Sequence, residues 1–446
     1  MQPLEGVKVL DFSQAAFGPV ATRLLGDLGA DIIKVEPLEG DFARLTALRE
    51  GDSITFLSCN RSKRSLSVNL KDDRGKEIVL KLVKQVDVIV QNFRPGVMTR
   101  MGLDYETVSK LNPRIVYGSF YMFGDTGPMS RWRGADPLAQ SFTGVVASQG
   151  EPGKPPYLAG HPFIDYGGAA LNAFAISTAL FMRERTGMGQ EVTNSLTNSG
   201  MYLQQPTIDA YLIEGVLYKK GGRGMAMTRF PYGAYTAADG DIVTISGQDD
   251  DEWVIFCSML SIEHLLADPV YSTHQKRLER RSELYPILDK AFSTKTRAEW
   301  EVVFRQHGLF CYPCLDYAEL LSHPQVEANN MITEVNHSRD GQIRQVNVPV
   351  KFRGAEPDKP LRPAPVLGEH TREILLELGY NSSQIDEYAE VGVVGIPTPD
   401  MFQRQKRTVS MNVTAYGKKH SIKAQPYAKA TEWVTAGKTD PNKPET

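Results

Sequence analysis

The chain has 446 residues, four of them cysteine, with 41% hydrophobic and 23% charged residues and a formal net charge of −3. That length calls for two or more domains with cores of their own, and the near-neutral balance excludes a general attraction to nucleic acid or an anionic membrane, so a polyanionic ligand needs a local basic cluster. Four cysteines are no disulfide framework, and neither a bilayer-length apolar run nor a signal-peptide pattern in the first six residues is present, so the cytoplasm is the expected compartment.

Residues 7–12 form a short β-rich run. Gly18-Pro19 follows, with Pro19 suited to a first helical turn, and residues 20–28 read as a helix stopped by Gly29. Residues 30–36 are the next strand, ended by Pro37. This βαβ succession predicts a parallel sheet with helices on its faces. Further strands are expected at 65–70, 86–93 and 115–120, with Asp72 or Asp73 capping a helix that runs to Val83. No Gly-x-Gly-x-x-Gly or Walker loop opens these units, so the sheet is expected to be doubly wound without the ordinary dinucleotide fingerprint.

A glycine- and proline-rich stretch, 144–168, leads into an apolar run, 169–182, which predicts a central buried helix. From about Phe230 the character changes to a hairpin, 235–245, with Asp239-Gly240 at its turn, then helical segments to about Leu321. Residues 331–350 read as strands and linker, and 371–378 as a helix stopped by Gly379. Beyond Pro397 the chain is polar and reads as an appendage.

Several chemistries find little support. Cys311-Tyr312-Pro313-Cys314 with His307 is half of a zinc site, but Cys59 and Cys257 lie in unrelated apolar segments, so no metal site is expected. There is no Gly-x-Ser-x-Gly elbow, and the eight histidines are scattered. The basic residues of 60–64, with Lys71, Arg94 and Arg100, lie near predicted strand ends beside Phe93. They suit either a phosphate-bearing ligand with an aromatic base or solvated helix ends. Asp165 stands between these segments, before Gly167-Gly168 and the apolar run. It reads as a helix cap or as a nucleophile. An ordinary aspartate, with a pKa near ~3.9, is ionised without a general base, and a thioester offers it a good leaving group. Backbone N–H groups of Gly167 and Gly168 at a helix start would then face an oxyanion.

Taken together and in order, the motifs resemble the class III CoA-transferases, the group of formyl-CoA transferase, carnitine CoA-transferase and α-methylacyl-CoA racemase. They are Leu4-Glu5-Gly6-Val7-Lys8-Val9-Leu10-Asp11-Phe12, Gly18-Pro19, Leu28-Gly29-Ala30-Asp31-Ile32-Ile33-Lys34-Val35-Glu36, residues 60–66, residues 92–96, Gly124-Asp125-Thr126-Gly127-Pro128, Arg185-Thr186-Gly187-Met188-Gly189-Gln190 and Leu367-Gly368-Glu369-His370. The likeness covers about residues 3–392.

The resemblance implies that Asp165 attacks an acyl-CoA, forming first an acyl-aspartyl anhydride and then an aspartyl-CoA thioester from which an acid acceptor takes CoA. CoA thioesters are then substrates, and no permanently bound cofactor or metal is implied. It places CoA contacts on Ala15, Ala16, Phe17, Val68, Lys71, Asn92, Phe93, Arg100 and Arg133, and an acyl site near Asp136, Gln140, Tyr166, Gly167 and Gly168, with Met122 a weaker candidate. Pro37 stands where the family places an adenine-stacking arginine, and no glycine-rich loop is evident near Ser246-Gly247-Gln248.

The implied fold is α/β: a large domain with an open, parallel, Rossmann-like sheet, a smaller α+β domain, and an interlocked homodimer. The expected limits are large domain 1–200, linker 201–229, small domain 230–325, linker 326–350, large domain again 351–395 and a polar extension 396–446. Partners are an acyl-CoA, an organic acid and a second copy, with no nucleic acid or membrane. A racemase is disfavoured, because Ala135 occupies the position of that group's proton-shuttling histidine in Arg133-Gly134-Ala135-Asp136. A silent CoA-binding subunit of a hetero-oligomer is disfavoured by the presence of Asp165.

Overall fold

The computed structural model describes residues 1–46, 52–225, 227–354 and 361–398, so all but the first three residues of the expected extension lie outside it. Two compact units emerge. The first comprises Met1–Asp136, Phe163–Ser199 and the described residues from Ile332 onward; the second comprises Pro137–Pro162 and Gly200–Met331. Residues 137–162, which the sequence places with the large domain, thus group with the second unit.

The first unit opens β1 (Lys8–Asp11), α1 (Pro19–Asp27), β2 (Asp31–Glu36), α2 (Ile54–Cys59), β3 (Lys63–Val68), α3 (Asp73–Val83), β4 (Val88–Gln91), α4 (Val97–Met101), α5 (Tyr105–Leu111) and β5 (Val116–Tyr121). After α6 (Asp136–Phe142) and α7 (Val145–Ser148) come α8 (Phe163–Thr186) and β6 (Glu191–Ser195). The strands order as β12-β3-β2-β1-β4-β5-β6, where β12 is the short Val394–Gly395. Six are parallel and β12 runs antiparallel to β3. Chain direction across the sheet reverses between β1 and β4, and the crevice beyond their carboxyl ends is where such sheets bind ligands.

Local chemistry explains these elements. Pro19 begins α1, where its missing N–H costs nothing. Asp72, not Asp73, caps α3 by accepting from Arg74 N–H. Ile78, Val79, Leu82 and Val83 on that helix pack into a core with Leu10, Ile33, Leu66 and Ile89 of the sheet and Ile374 and Leu375 of the Thr371–Glu377 helix.

The long helix departs from expectation. It starts at Phe163, six residues earlier than predicted, and in the single chain it is buried along one stripe only: Ile164, Gly168, Ala169, Asn172, Ile176, Ala179, Leu180 and Arg183. On other sides Phe174, Phe181 and Met182 are exposed. Its composition, apolar on nearly all sides, predicts a central buried helix, which one chain does not supply.

The second unit has its own core, in which Trp253, Phe256, Leu284, Leu288, Phe292, Trp300 and Phe304 pack against a small antiparallel sheet. That sheet is β7 (Gly233–Ala237), β8 (Gly240–Thr244) and β9 (Cys311–Pro313). Ala237 pairs with Gly240, so the hairpin turns on Ala238-Asp239, one residue earlier than predicted. Cys311 is buried in that core and Cys314 is exposed; among the described residues no group of three or more potential ligands could hold a metal. β10 (Ile332–His337) and β11 (Gly341–Val346) form a separate hairpin. No helix among the described residues is long and apolar enough to cross a membrane.

Candidate active site

At the β1/β4 crevice, the loop after β1 contains the predicted Ala15, Ala16 and Phe17. Ala15 takes φ 66°, and Ala16 and Phe17 are buried. Asn92, just after β4, is predicted to contact CoA, but its side-chain amide is engaged with the backbone of Gln14: Oδ1 accepts from N–H at 2.8 Å and Nδ2 donates to the carbonyl at 2.7 Å. It therefore ties the two strand ends together. Phe93 packs against the main core, and Val68 is 1% exposed within it, so any Val68 contact with a ligand is confined to backbone. Lys71, Arg100 and Arg133 are exposed and follow the carboxyl ends of β3, β4 and β5 in turn. Each thus lies in the segment that leaves a strand on the side where such sheets bind ligands.

The other basic cluster has a different fate. Arg61 forms a buried pair with Asp27 at 2.7 Å, Lys63 with Asp11 at 2.9 Å, and Arg64 bonds Asp31, Glu373 and Glu377. These residues are neither solvated nor offered to phosphate. Arg61 and Arg64 sit at the amino end of β3, whereas the Lys63 ammonium reaches Asp11 at the carboxyl end of β1 and Pro19 O beyond it, and carboxylates occupy all three.

Asp165 is the third residue of α8, inside the first turn and not at its cap. The capping work falls to Asp136, whose Oδ2 accepts from Asp165 N–H at 2.9 Å. A helix that begins at Phe163 also takes the N–H groups of Gly167 and Gly168 into its own ladder, so the expected oxyanion role for them is not supported. Gly168 serves packing instead: a Cβ there would lie 2.5 Å from Phe17 Cε2 and 2.8 Å from Ser199 Oγ. Tyr166 turns its hydroxyl to Cys59 Sγ at 3.6 Å, and burial followed by that thiol pushes its pKa up to about 12. Gln140, in the second unit, accepts from Ala159 N–H at 2.9 Å. Met122 accepts from Thr197 through its carbonyl.

The carboxylate of Asp165 is half-buried and has no hydrogen bond or ion pair among the described residues. Burial, and then the negative charge of Asp136, push its pKa up to about 7. The expectation of an ordinary, fully ionised aspartate is corrected: near neutrality a substantial fraction carries a proton. A carboxylate poised this way, accessible yet uncompensated, is the pattern of a chemically active group.

The sequence reading missed the buried charges that shape the crevice: Asp11, Lys34, Asp41 and Lys63, each at most 1% exposed. A signal was present. Parallel strands buried on both faces should be apolar throughout, and Asp11, Lys34 and Lys63 interrupt β1, β2 and β3.

Comparison with known proteins identifies the family. The model of CoA-transferase family III matches residues 4–371. Succinyl-CoA:glutarate CoA-transferase of Mus musculus is 35% identical over 398 residues, 88% of this chain and 91% of that protein. Formyl-CoA:oxalate CoA-transferase of Escherichia coli O6:H1 is 30% identical over 406 residues, 86% of this chain and 97% of that protein. The crystal structure of a CAIB/BAIF family protein from Brucella suis superposes with a TM-score of 0.76 at 30% identity, covering 84% of this chain and 99% of that one. With a parallel sheet whose switch point carries the predicted loops, and with matches along nearly its whole length, the chain belongs to CoA-transferase family III and is a CoA-transferase.

Proposed function

We propose that this enzyme moves CoA from an acyl-CoA to a carboxylic acid with Asp165 as the nucleophile. One observation carries the reading: Asp165 is a desolvated carboxylate without a cationic or hydrogen-bonding partner among the described residues, raised to about 7. A basic, poorly solvated carboxylate is the more nucleophilic for it. Its attack on the thioester carbonyl forms the mixed anhydride and releases CoA thiolate. The thiolate attacks the aspartyl carbonyl, giving aspartyl-CoA thioester and the donor acid. The acceptor carboxylate attacks that thioester and expels the thiolate again. Attack of the thiolate on the acceptor's acyl carbon then yields the new acyl-CoA and restores the Asp165 carboxylate.

In this reading the loop Ala15–Ala16–Phe17 offers backbone contacts to CoA, and Lys71, Arg100 and Arg133 receive its phosphates. Oxalate and glutarate, in the names of the two relatives, are dicarboxylates, so a short dicarboxylic acid is the acceptor class to test first. We further propose a cytoplasmic homodimer in which a second copy covers the exposed Phe174, Phe181 and Met182 of α8. Sedimentation of a monomer at working concentration would overturn that part.

The chemistry is tested by incubation with acyl-CoA and hydroxylamine, followed by peptide mass spectrometry. The hydroxamate is expected on Asp165. Asp165→Ala is expected to lose transfer by a factor of about 10⁴ or more, and full activity in that variant sinks the assignment.

A further inference from the structure

We propose that Lys34 and Lys63 are positioning residues for the transfer reaction: their buried ammonium groups clamp the loop between β1 and α1 by the carbonyls at its two ends, and the loop in turn places the helix that carries Asp165. The inference rests on Asp165 being the nucleophile.

Lys34 Nζ donates to Ser13 O at 2.8 Å, and Lys63 Nζ donates to Pro19 O at 2.9 Å. Both side chains are at most 1% exposed. Each cation is balanced by a carboxylate that also holds the loop. Asp41 pairs with Lys34 at 2.9 Å and accepts from Ala15 N–H at 3.4 Å. Asp11 pairs with Lys63 at 2.9 Å and accepts from the Ser13 N–H at 2.9 Å and hydroxyl at 2.5 Å. Asn92 grips Gln14 from the other side. Between the clamps Ala15 is left-handed, a conformation that alanine holds only where its surroundings over-determine it.

The loop then engages α8. Phe17 O accepts from Asn172 Nδ2 at 3.2 Å, the Phe17 ring meets Phe120 edge-on at 6.0 Å between centroids, and Gly168 leaves the space that the Phe17 ring fills. Asp165, Gly168 and Asn172 are spaced three and four residues apart, so they share one face of the helix. Movement of the loop therefore moves the first turns of α8.

Stability alone does not account for two buried lysines, because buried ion pairs are often replaceable by apolar residues without loss. What an apolar residue cannot do is donate to the two loop carbonyls, which are withdrawn from water.

The test uses the full-length enzyme and Lys34→Met, a change of similar length without the charge. A folded variant is expected to lose about 10²-fold in kcat, the cost of an ångström-scale misplacement, with KM for acyl-CoA within about threefold of the parent. Amide hydrogen exchange is expected to accelerate at residues 14–18 and in the first turns of α8. Ethylammonium is expected to restore part of kcat in Lys34→Ala. Should Lys34→Met not fold, Asp41→Asn, which leaves the amide bonds and removes the charge partner, is expected to show the same loss in milder form. Unchanged exchange in the loop, or a kcat that falls only in proportion to the fraction folded, overturns the proposal. Absence of a hydroxamate on Asp165 in the parent enzyme marks failure of the nucleophile assignment instead, and the exchange measurement still decides whether the clamp holds the loop.

Discussion

Asp11 and Asp165 are both carboxylates withdrawn from water within the same unit, and the protein treats them in opposite ways. For Asp11, burial alone would raise the pKa, but Lys63, Lys34 and hydrogen bonds from Ser13 and Thr22 outweigh it and hold the group at about 2. Glu36 follows the same pattern: burial is outweighed by Arg44 and the pKa falls to about 2. For Asp165 burial acts in the same sense, and the charge of Asp136 reinforces it. Fully compensated carboxylates are inert scaffolding. The uncompensated one is the group we propose as the nucleophile.

The sharpest way to break this contrast is to remove a compensated carboxylate. Asp11→Ala leaves the Lys63 ammonium buried without its partner and frees the loop at Ser13. A loss of about 3–5 kcal/mol is expected in urea denaturation. A loss below about 1 kcal/mol would show that the network is not the scaffold described.

The converse substitution should stabilise. The folded-state pKa of Asp165 lies above its unfolded value of 3.8, so folding favours the protonated form. The stability associated with that proton is intact below about pH 4 and is lost as pH rises through about 7. Asp165→Asn is therefore expected to be inactive yet more stable than the parent by about 2–4 kcal/mol at pH 8, with the gain vanishing near pH 4. Denaturation at both pH values checks it; equal stability at pH 8 would mean that Asp165 is already compensated.

Gly168→Ala probes the packing between loop and helix. The added methyl collides with Phe17 and Ser199, and a destabilisation of about 1–3 kcal/mol is expected by thermal or urea unfolding, with a loss of transfer activity.

The smallest effect concerns the carboxylate pair. As the proposed nucleophile Asp165 must be ionised, so kcat/KM should rise with pH through about 7. Asp136→Asn keeps an oxygen to accept from Asp165 N–H and removes the repulsion. The midpoint of the profile is expected to move down, but only part of the way toward an ordinary aspartate, because burial is the larger cause. A midpoint that stays in place would remove Asp136 from the account.

Much of the large unit was legible in the residues. The βαβ succession, Pro19 at the start of α1, a cap at Asp72 and the stop at Gly379 all rest on interactions among near neighbours, and each appears in the structure within a few residues. The burial of Arg61, Lys63 and Arg64 was not legible, because their carboxylate partners Asp11, Asp27, Asp31, Glu373 and Glu377 lie 33 or more residues away in the chain. The capping of α8 was not legible for the same reason: Asp136, which serves its N-terminus, is 29 residues upstream.

The amino-acid sequence by itself determined the α/β class, the parallel units and the candidacy of Asp165, because propensity, periodicity and turn chemistry are local. Tertiary structure decided which buried charges became scaffold and which was left uncompensated. Whether a buried carboxylate is stabilised or left uncompensated depends on what the fold brings within a few ångströms of it, and spacing along the chain does not encode that distance.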